Sequence, residues 1–126
     1  MAAYERDKAR LLGELRGRVL EIGAGGGANF SRLPHGVDWV GLEPSRRARR
    51  RLARSGHTVL DAPAEAVPLP DDSVDAVVST IVLCSVADQD RALAEVVRVL
   101  RPGGRLVFFE HVAAPRGTWR RRAQTA

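Results

Sequence analysis

VLEIGAGGGANF, residues 19–30, is the stretch that decides the fold of this chain. An apolar run ends in closely spaced glycines, as expected for a buried strand, a tight turn and the start of a helix. Glycine lets a ligand approach where a Cβ would collide, and a helix start offers unpaired N–H groups to it. Glu21, two residues ahead of Gly23, adds a negative charge beside the turn. The stretch therefore favours a nucleoside that carries an amine over a bare pyrophosphate.

The composition is that of one globular domain. The chain has 126 residues, of which 44% are hydrophobic, enough to build a core. No apolar run approaches the ~20 residues that cross a bilayer, and the first residues carry acids rather than an apolar signal segment. Because there is a single cysteine, we expect neither a disulfide framework nor a cysteine metal cluster. We predict a cytoplasmic protein without a metal site.

Arginine supplies most of the positive charge behind the net charge of +5. It concentrates in two clusters, one between residues 46 and 54 and one between residues 116 and 122. Such clusters attract nucleic acid or anionic membranes. The first cluster contains no aromatic residue for base stacking and the second contains one, Trp119; we predict a solvated helix face and a frayed tail. A nucleic-acid or membrane partner is not expected.

Helices and strands alternate along the chain. Helical patterns cover residues 3–16, 26–33, 45–55 and a segment that begins at Asp88, and strand patterns cover 18–22, 37–42, 58–60, 74–82 and 105–111. The last helix has an apolar stripe of Leu93, Val96, Val97 and Leu100, which we predict to be core. Buried strands that alternate with helices predict an α/β fold. It is a doubly wound, Rossmann-like three-layer sandwich around a mostly parallel sheet of about five strands.

Ligands of such sheets bind at the carboxyl ends of the strands. The glycine turn, Glu43, Asp61 and Thr80 each follow or end a different strand, so we expect the fold to bring them to one edge. The glycines also satisfy the dinucleotide fingerprint, and Glu43 lies where an acid would hold a ribose. The residues alone therefore leave an NAD-type domain open.

Three motifs resemble those of the class I S-adenosylmethionine-dependent methyltransferases. They are EIGAGGG at residues 21–27, AEAVPLPDDSVD at residues 64–75 and LRPGGRL at residues 100–106. Two shorter stretches, residues 81–86 and 109–112, look most like the thiol S-methyltransferases of that class. The resemblance implies S-adenosyl-L-methionine as methyl donor, S-adenosyl-L-homocysteine as product, and a small-molecule acceptor such as a thiol.

The likeness is that of a methyltransferase type 11 domain and covers residues 15–113. We predict a single domain over residues 1–126, whose residues 114–126 form a basic tail. The family fold has seven strands, of which the sequence accounts for five, so we expect a truncated version. The strand over 105–111 would then be an exposed edge with Phe108 and Phe109, and apolar edges invite pairing.

From that edge we predict a homodimer. The alternative to an active enzyme is a non-catalytic S-adenosylmethionine-binding module, or a fragment that a partner completes. No residue stands out as a catalytic base, so the catalytic residues stay unassigned, and a soft nucleophile such as a thiolate is favoured.

The resemblance also implies the residues that bind the cofactor. Glu21 would orient the methionine amine, and Glu43 would accept hydrogen bonds from the ribose hydroxyls. The other positions are Gly23, Ala24, Gly25 and Gly27 in the turn, Pro44 after Glu43, Ala64 and Glu65 beside the adenine, and Thr80 and Ile81 beside the sulfonium. One departure is Pro63, which stands where the family often has an acid that meets the adenine amino group.

Overall fold

The computed structural model describes residues 2–24, 29–80, 86–109 and 117–121. Its helices are α1 (Ala2–Gly13), α2 (Arg46–Arg54) and α3 (Gln89–Val99), with a 3-10 turn at Phe30–Arg32. Its strands are β1 (Arg18–Ile22), β2 (Asp38–Leu42), β3 (Thr58–Leu60), β4 (Val74–Thr80), β5 (Leu100–Phe109) and β6 (Gly117–Arg120). Of the helix predicted over 26–33, residues 26–28 lie outside the described residues.

One sheet contains these strands, in the order β3-β2-β1-β4-β5-β6. The first five are parallel, and β6 runs antiparallel to β5. Leu12 of α1 and Leu52 of α2 pack in one core cluster with Val19, whereas Val96 of α3 packs in the other with Leu20. Neighbouring residues of β1 thus point to opposite faces of the sheet. The predicted three-layer α/β sandwich is confirmed.

The helix starts follow from short polar side chains. Ser45 caps α2, because its Oγ accepts a hydrogen bond from the Ala48 N–H at 3.3 Å. Asp88 caps α3, because its Oδ1 accepts one from the Arg91 N–H at 3.1 Å. Both caps satisfy a backbone donor that a helix leaves unpaired at its first turn. Within the described residues, no helix combines the length and the apolar character that a bilayer crossing requires.

The carboxyl-terminal residues correct one prediction, because β5 is not a bare edge. β6 pairs along it, Phe109 is fully buried in the core cluster that contains the leucines of α1, and Phe108 is half-buried. The side chain of Arg121, 12% exposed, donates to Asp72 and to the Leu100 carbonyl. The predicted exposed edge is therefore wrong, as is the frayed tail for residues 117–121, and the homodimer prediction loses the surface that motivated it.

The apolar stripe of α3 is only half buried. The residues that face the sheet are Ala92, Val96 and Val99, each 1% exposed or less. Leu93 and Val97, predicted as core, are 41% and 37% exposed. Helical spacing indicates which residues share a face, but it does not indicate how much of that face a neighbouring element covers.

Candidate functional site

The carboxyl ends of β1, β2 and β3 are joined by backbone hydrogen bonds. The Gly23 N–H donates to the Leu42 carbonyl at 2.8 Å, and the Glu43 N–H donates to the Leu60 carbonyl at 3.1 Å. Gly23 has a φ of 68°, in the left-handed region that glycine adopts without strain. The glycine turn therefore leaves β1 directly beside the end of β2. This edge lies next to the point where the strand order reverses, between β1 and β4.

A pocket of about 220 Å³ opens at this edge. Its lining comes from the ends of β1 and β2, from the loop after β3 and from the residues just before α3. The lining residues are Ile22, Gly23, Leu42, Pro44, Ala62, Pro63, Ala64, Glu65, Val86 and Ala87. Most of these side chains are apolar, as is typical of a small-molecule site with few polar groups. Four of them are residues that the sequence analysis assigned to the cofactor: Gly23, Pro44, Ala64 and Glu65.

Glu43 is a buried carboxylate where β2 passes into α2. It is 8% exposed, and its Oε2 accepts a hydrogen bond from the Ser45 N–H at 2.8 Å. The Arg49 guanidinium donates to the carbonyls of Glu43 at 3.1 Å and of Pro44 at 2.6 Å. The backbone of Glu43 and Pro44 is therefore held by hydrogen bonds to residues at the start of α2.

Asp61 lies apart from the pocket. Its carboxylate pairs with the Arg49 guanidinium at 3.1 Å, and its side chain is 71% exposed. It is not one of the pocket's lining residues. Pro63 lines the pocket instead, so the wall is apolar at the position where an acid was expected.

Glu21 is a buried carboxylate on β1, two residues before Gly23. It is 2% exposed, and both carboxylate oxygens accept hydrogen bonds: Oε1 from Trp39 Nε1 at 3.1 Å and Oε2 from Asn29 Nδ2 at 2.8 Å. Burial raises the pKa of Glu21 above its ordinary value, and the two hydrogen bonds and the charge of Lys8 offset part of that increase. Each carboxylate oxygen retains a second lone pair that can accept from a ligand.

Trp39 and Asn29 are partners of Glu21 that were not predicted from the sequence. Glu21 pairs in register with Gly41, and Trp39 lies two residues earlier on the same face of β2. A Cβ on Gly41 would lie 2.6 Å from the Trp39 ring. The absent side chain thus leaves room for the indole to reach across to Glu21. The Trp-x-Gly spacing beside an acid on the neighbouring strand was the signal available.

The loop between β3 and β4, which contributes residues 62–65 to the pocket, is fastened to α3. The Arg98 guanidinium donates to the carbonyls of Val67 and Leu69, both at 2.8 Å. The Glu95 carboxylate accepts from the Val67 N–H at 2.9 Å. Hydrogen bonds and charge from Arg98 lower the pKa of Glu95, which keeps this carboxylate ionised. We call this group of contacts the Arg98 clamp.

The remaining predicted positions are described in part. Thr80 ends β4, whose neighbour in the sheet is β1, and Ala24 is buried directly after Gly23. Gly25, Gly27 and Ile81 lie outside the described residues. The individual roles assigned to all of these residues toward a cofactor stay predictions. Within the described ranges, no group of three potential metal-ligating side chains is present.

Comparisons with known proteins agree on one family. Residues 20–108 match the family described as Methyltransferase domain. A human thiol S-methyltransferase is 40% identical over 94% of this chain and 54% of its own length. A ubiquinone/menaquinone biosynthesis C-methyltransferase of Pasteurella multocida is 38% identical over 74% of this chain and 39% of its own length.

Solved structures give the same result. A SAM-dependent methyltransferase of Thermotoga maritima, described as a possible histamine N-methyltransferase, superposes with a TM-score of 0.70 and 35% identity. The match covers 84% of this chain and 50% of that one. The chain spans about half the length of the curated relatives it matches; for the human protein the share is 54%.

Proposed function

Since this chain belongs to the S-adenosylmethionine-dependent methyltransferase family, we propose that it binds this cofactor in the pocket at the carboxyl ends of β1 and β2. We further propose that it transfers the methyl group to a small molecule. Family membership favours S-adenosylmethionine over the dinucleotide that the glycine pattern alone left open. The observation that carries the proposal is the apolar pocket lined by Leu42 and Pro44, the residues on either side of the buried Glu43 in the chain.

The residues present fit the cofactor. The apolar walls around Pro44, Pro63 and Ala64 suit a flat adenine ring, which gains from being removed from water. The carboxylate group of Glu43 suits a ribose, because its two oxygens can accept hydrogen bonds from both ribose hydroxyls. With Pro63 in place of an acid, we expect the adenine to be held more by burial than by a side-chain contact to its amino group.

S-adenosylmethionine supplies a methyl group bonded to a positively charged sulfur, so the acceptor needs alignment more than activation. Correct alignment of two reactants lowers the activation barrier of such a step by ~7–11 kcal/mol. In this proposal Glu43 fixes the ribose, and the Glu21 carboxylate attracts the methionine amine directly or through water. Trp39 and Asn29 hold that carboxylate in one orientation.

A thiol is the acceptor class that the observations favour. Human relatives that match over 94% and 91% of this chain are named thiol S-methyltransferases. Among the described residues that line the pocket, only Glu65 is titratable, and its Oε2 accepts from the Asp88 N–H at 3.2 Å. A thiol reacts as its thiolate and needs less assistance from a base than an alcohol does.

Calorimetric titration with S-adenosylhomocysteine, followed by turnover with labelled donor and a panel of thiols, phenols and amines, tests the proposal. We expect saturable binding, no binding of NADH, and labelled product from thiols. Binding without turnover on any acceptor would favour the non-catalytic module, and absence of binding would refute the site. A cytoplasmic location stays part of the proposal, and cell fractionation tests it.

A further inference from the structure

The outer surface of α2 is a continuous band of arginine. A groove of about 530 Å³ is lined by five residues alone: Arg46, Arg47, Arg50, Arg51 and Arg54. All five are exposed, and we call this surface the arginine band. It is separate from the proposed cofactor pocket, since the two share no lining residue.

Helix geometry explains why the arginine band is continuous. At about 100° per residue, its five members fall within an arc of about 140°, and Leu52 falls on the opposite side. Leu52 is 1% exposed and is the residue through which α2 packs on the sheet. Arg49 falls outside the arc and turns back to Asp61 and to the start of its own helix. The helix therefore presents these five arginines to solvent in one direction.

The stability of α2 does not account for this arrangement. Among the described residues, none of the five arginines forms an ion pair, and the first turn of α2 contains no acid. Like charges three and four residues apart destabilise a helix, and cations at the first turn oppose its dipole. A helix that needed only solubility would be more stable with charges of both signs. A polyanion on this face would relieve the repulsion.

We propose that the arginine band binds the phosphate backbone of double-stranded nucleic acid. The helix is ~13 Å long, and a duplex presents one negative charge per ~1.7 Å of its axis, so several phosphates face the band at once. Guanidinium groups match phosphate oxygens with two parallel hydrogen bonds. The sequence pattern alone predicted a merely solvated face. The structure adds the common direction of five arginines that form no ion pair with any described residue.

Two other polyanions fit the same surface less well. Single strands are bound by cationic grooves with aromatic side chains for stacking, and α2 contains no aromatic residue. Helices that lie on membranes combine basic residues with an exposed apolar face. The apolar side chain of α2 larger than alanine is Leu52, which points into the core.

The test compares two triple variants of the full chain by fluorescence anisotropy with a labelled DNA duplex of ~20 base pairs. R47Q/R50Q/R51Q removes three charges from the arginine band, and R6Q/R10Q/R91Q removes three exposed charges elsewhere. Glutamine has nearly the helix propensity of arginine, so α2 is preserved. The unfolding temperature should not fall in either variant, and affinity for S-adenosylhomocysteine should be unchanged in both, which separates this proposal from that of the cofactor site.

We expect the wild type to bind with a log–log salt slope of about −4.5, equivalent to a ~500-fold loss of affinity between ~50 and ~200 mM salt. The band variant should reduce the slope by about 2.7 and the control variant by much less. Equal losses of duplex affinity and of salt slope in both variants would overturn the proposal, because binding would then depend on net charge alone. So would a failure to bind duplex at low salt, or binding to phosphatidylserine vesicles without binding to duplex.

Discussion

Replacing Glu43 with glutamine removes the charge on which the proposed ribose site depends while it keeps the size of the side chain. The amide oxygen can still accept the Ser45 N–H that now lies 2.8 Å from Oε2. The start of α2 should therefore stay in place. What changes is the capacity to accept hydrogen bonds, because an NH₂ donor replaces one of the two carboxylate oxygens.

The expected size of the effect follows from the burial of this group. Glu43 is 8% exposed, so its hydrogen bonds to a ligand are made with little competition from water. A hydrogen bond to a charged partner contributes about 1.5–3 kcal/mol, which corresponds to a 10- to 150-fold change in affinity. We expect the Kd for S-adenosylhomocysteine to rise within that range in Glu43→Gln. Glu43→Ala should weaken binding at least as much and also lower the unfolding temperature, since the Ser45 N–H loses its partner.

Isothermal titration calorimetry gives the Kd values, and Asp38→Asn is the matched control. Asp38 lies at the amino end of the same strand, its side chain is 70% exposed, and its nearest cation is Arg18 at 3.5 Å. Removing its charge should change the Kd by less than ~2-fold, as surface ion pairs contribute little. A wild-type Kd for S-adenosylhomocysteine in Glu43→Gln, or an equal rise in Asp38→Asn, would refute the role of Glu43 in the ribose site.

Three further predictions concern stability, and urea unfolding measures each. Because burial raises the pKa of Glu21, the folded state binds a proton more tightly, and the free energy of unfolding should fall as pH rises from 4.5 toward neutrality. Glu21→Gln should flatten that decline, and an unchanged profile would contradict the assignment. Val96→Ala should cost ~2 kcal/mol, against less than ~1 kcal/mol for its neighbour Val97→Ala, which is 37% exposed; equal costs would place α3 differently. Gly17→Ala should cost more than ~1 kcal/mol, because its φ is +78° and the new Cβ would lie 2.0 Å from a carboxylate oxygen, whereas Gly13→Ala should be neutral or stabilising.

Local signals in the sequence were sufficient for much of the fold. Ser45 and Asp88 mark helix starts because short polar side chains satisfy backbone donors there, and both hydrogen bonds are present. The apolar run that begins at Val74 forms a strand with neighbours on both sides. Glu43, Ala64 and their neighbours meet at one edge because parallel strands end on the same side of a sheet.

What the sequence missed depends on contacts between distant residues. β6 has no apolar alternation that would identify a strand, and it forms because β5 offers unpaired backbone groups and Arg121 reaches Leu100 and Asp72. The pairing of Trp39 with Glu21 depends on the register of two strands, which places Gly41 opposite the acid. Exposure of Leu93 depends on what covers α3, and the residue spacing of a helix contains no information on that.

The Arg98 clamp has a consequence for the thermodynamics of ligand binding. The loop that forms one wall of the pocket would, if left to fluctuate, lose conformational entropy each time a ligand entered. Contacts from Arg98 and Glu95 to the backbone of Val67 and Leu69 fix, during folding, the segment that directly follows the wall residues 62–65. The conformational entropy of this segment is therefore lost when the domain folds and not when a ligand binds. The pocket is preorganised on this side.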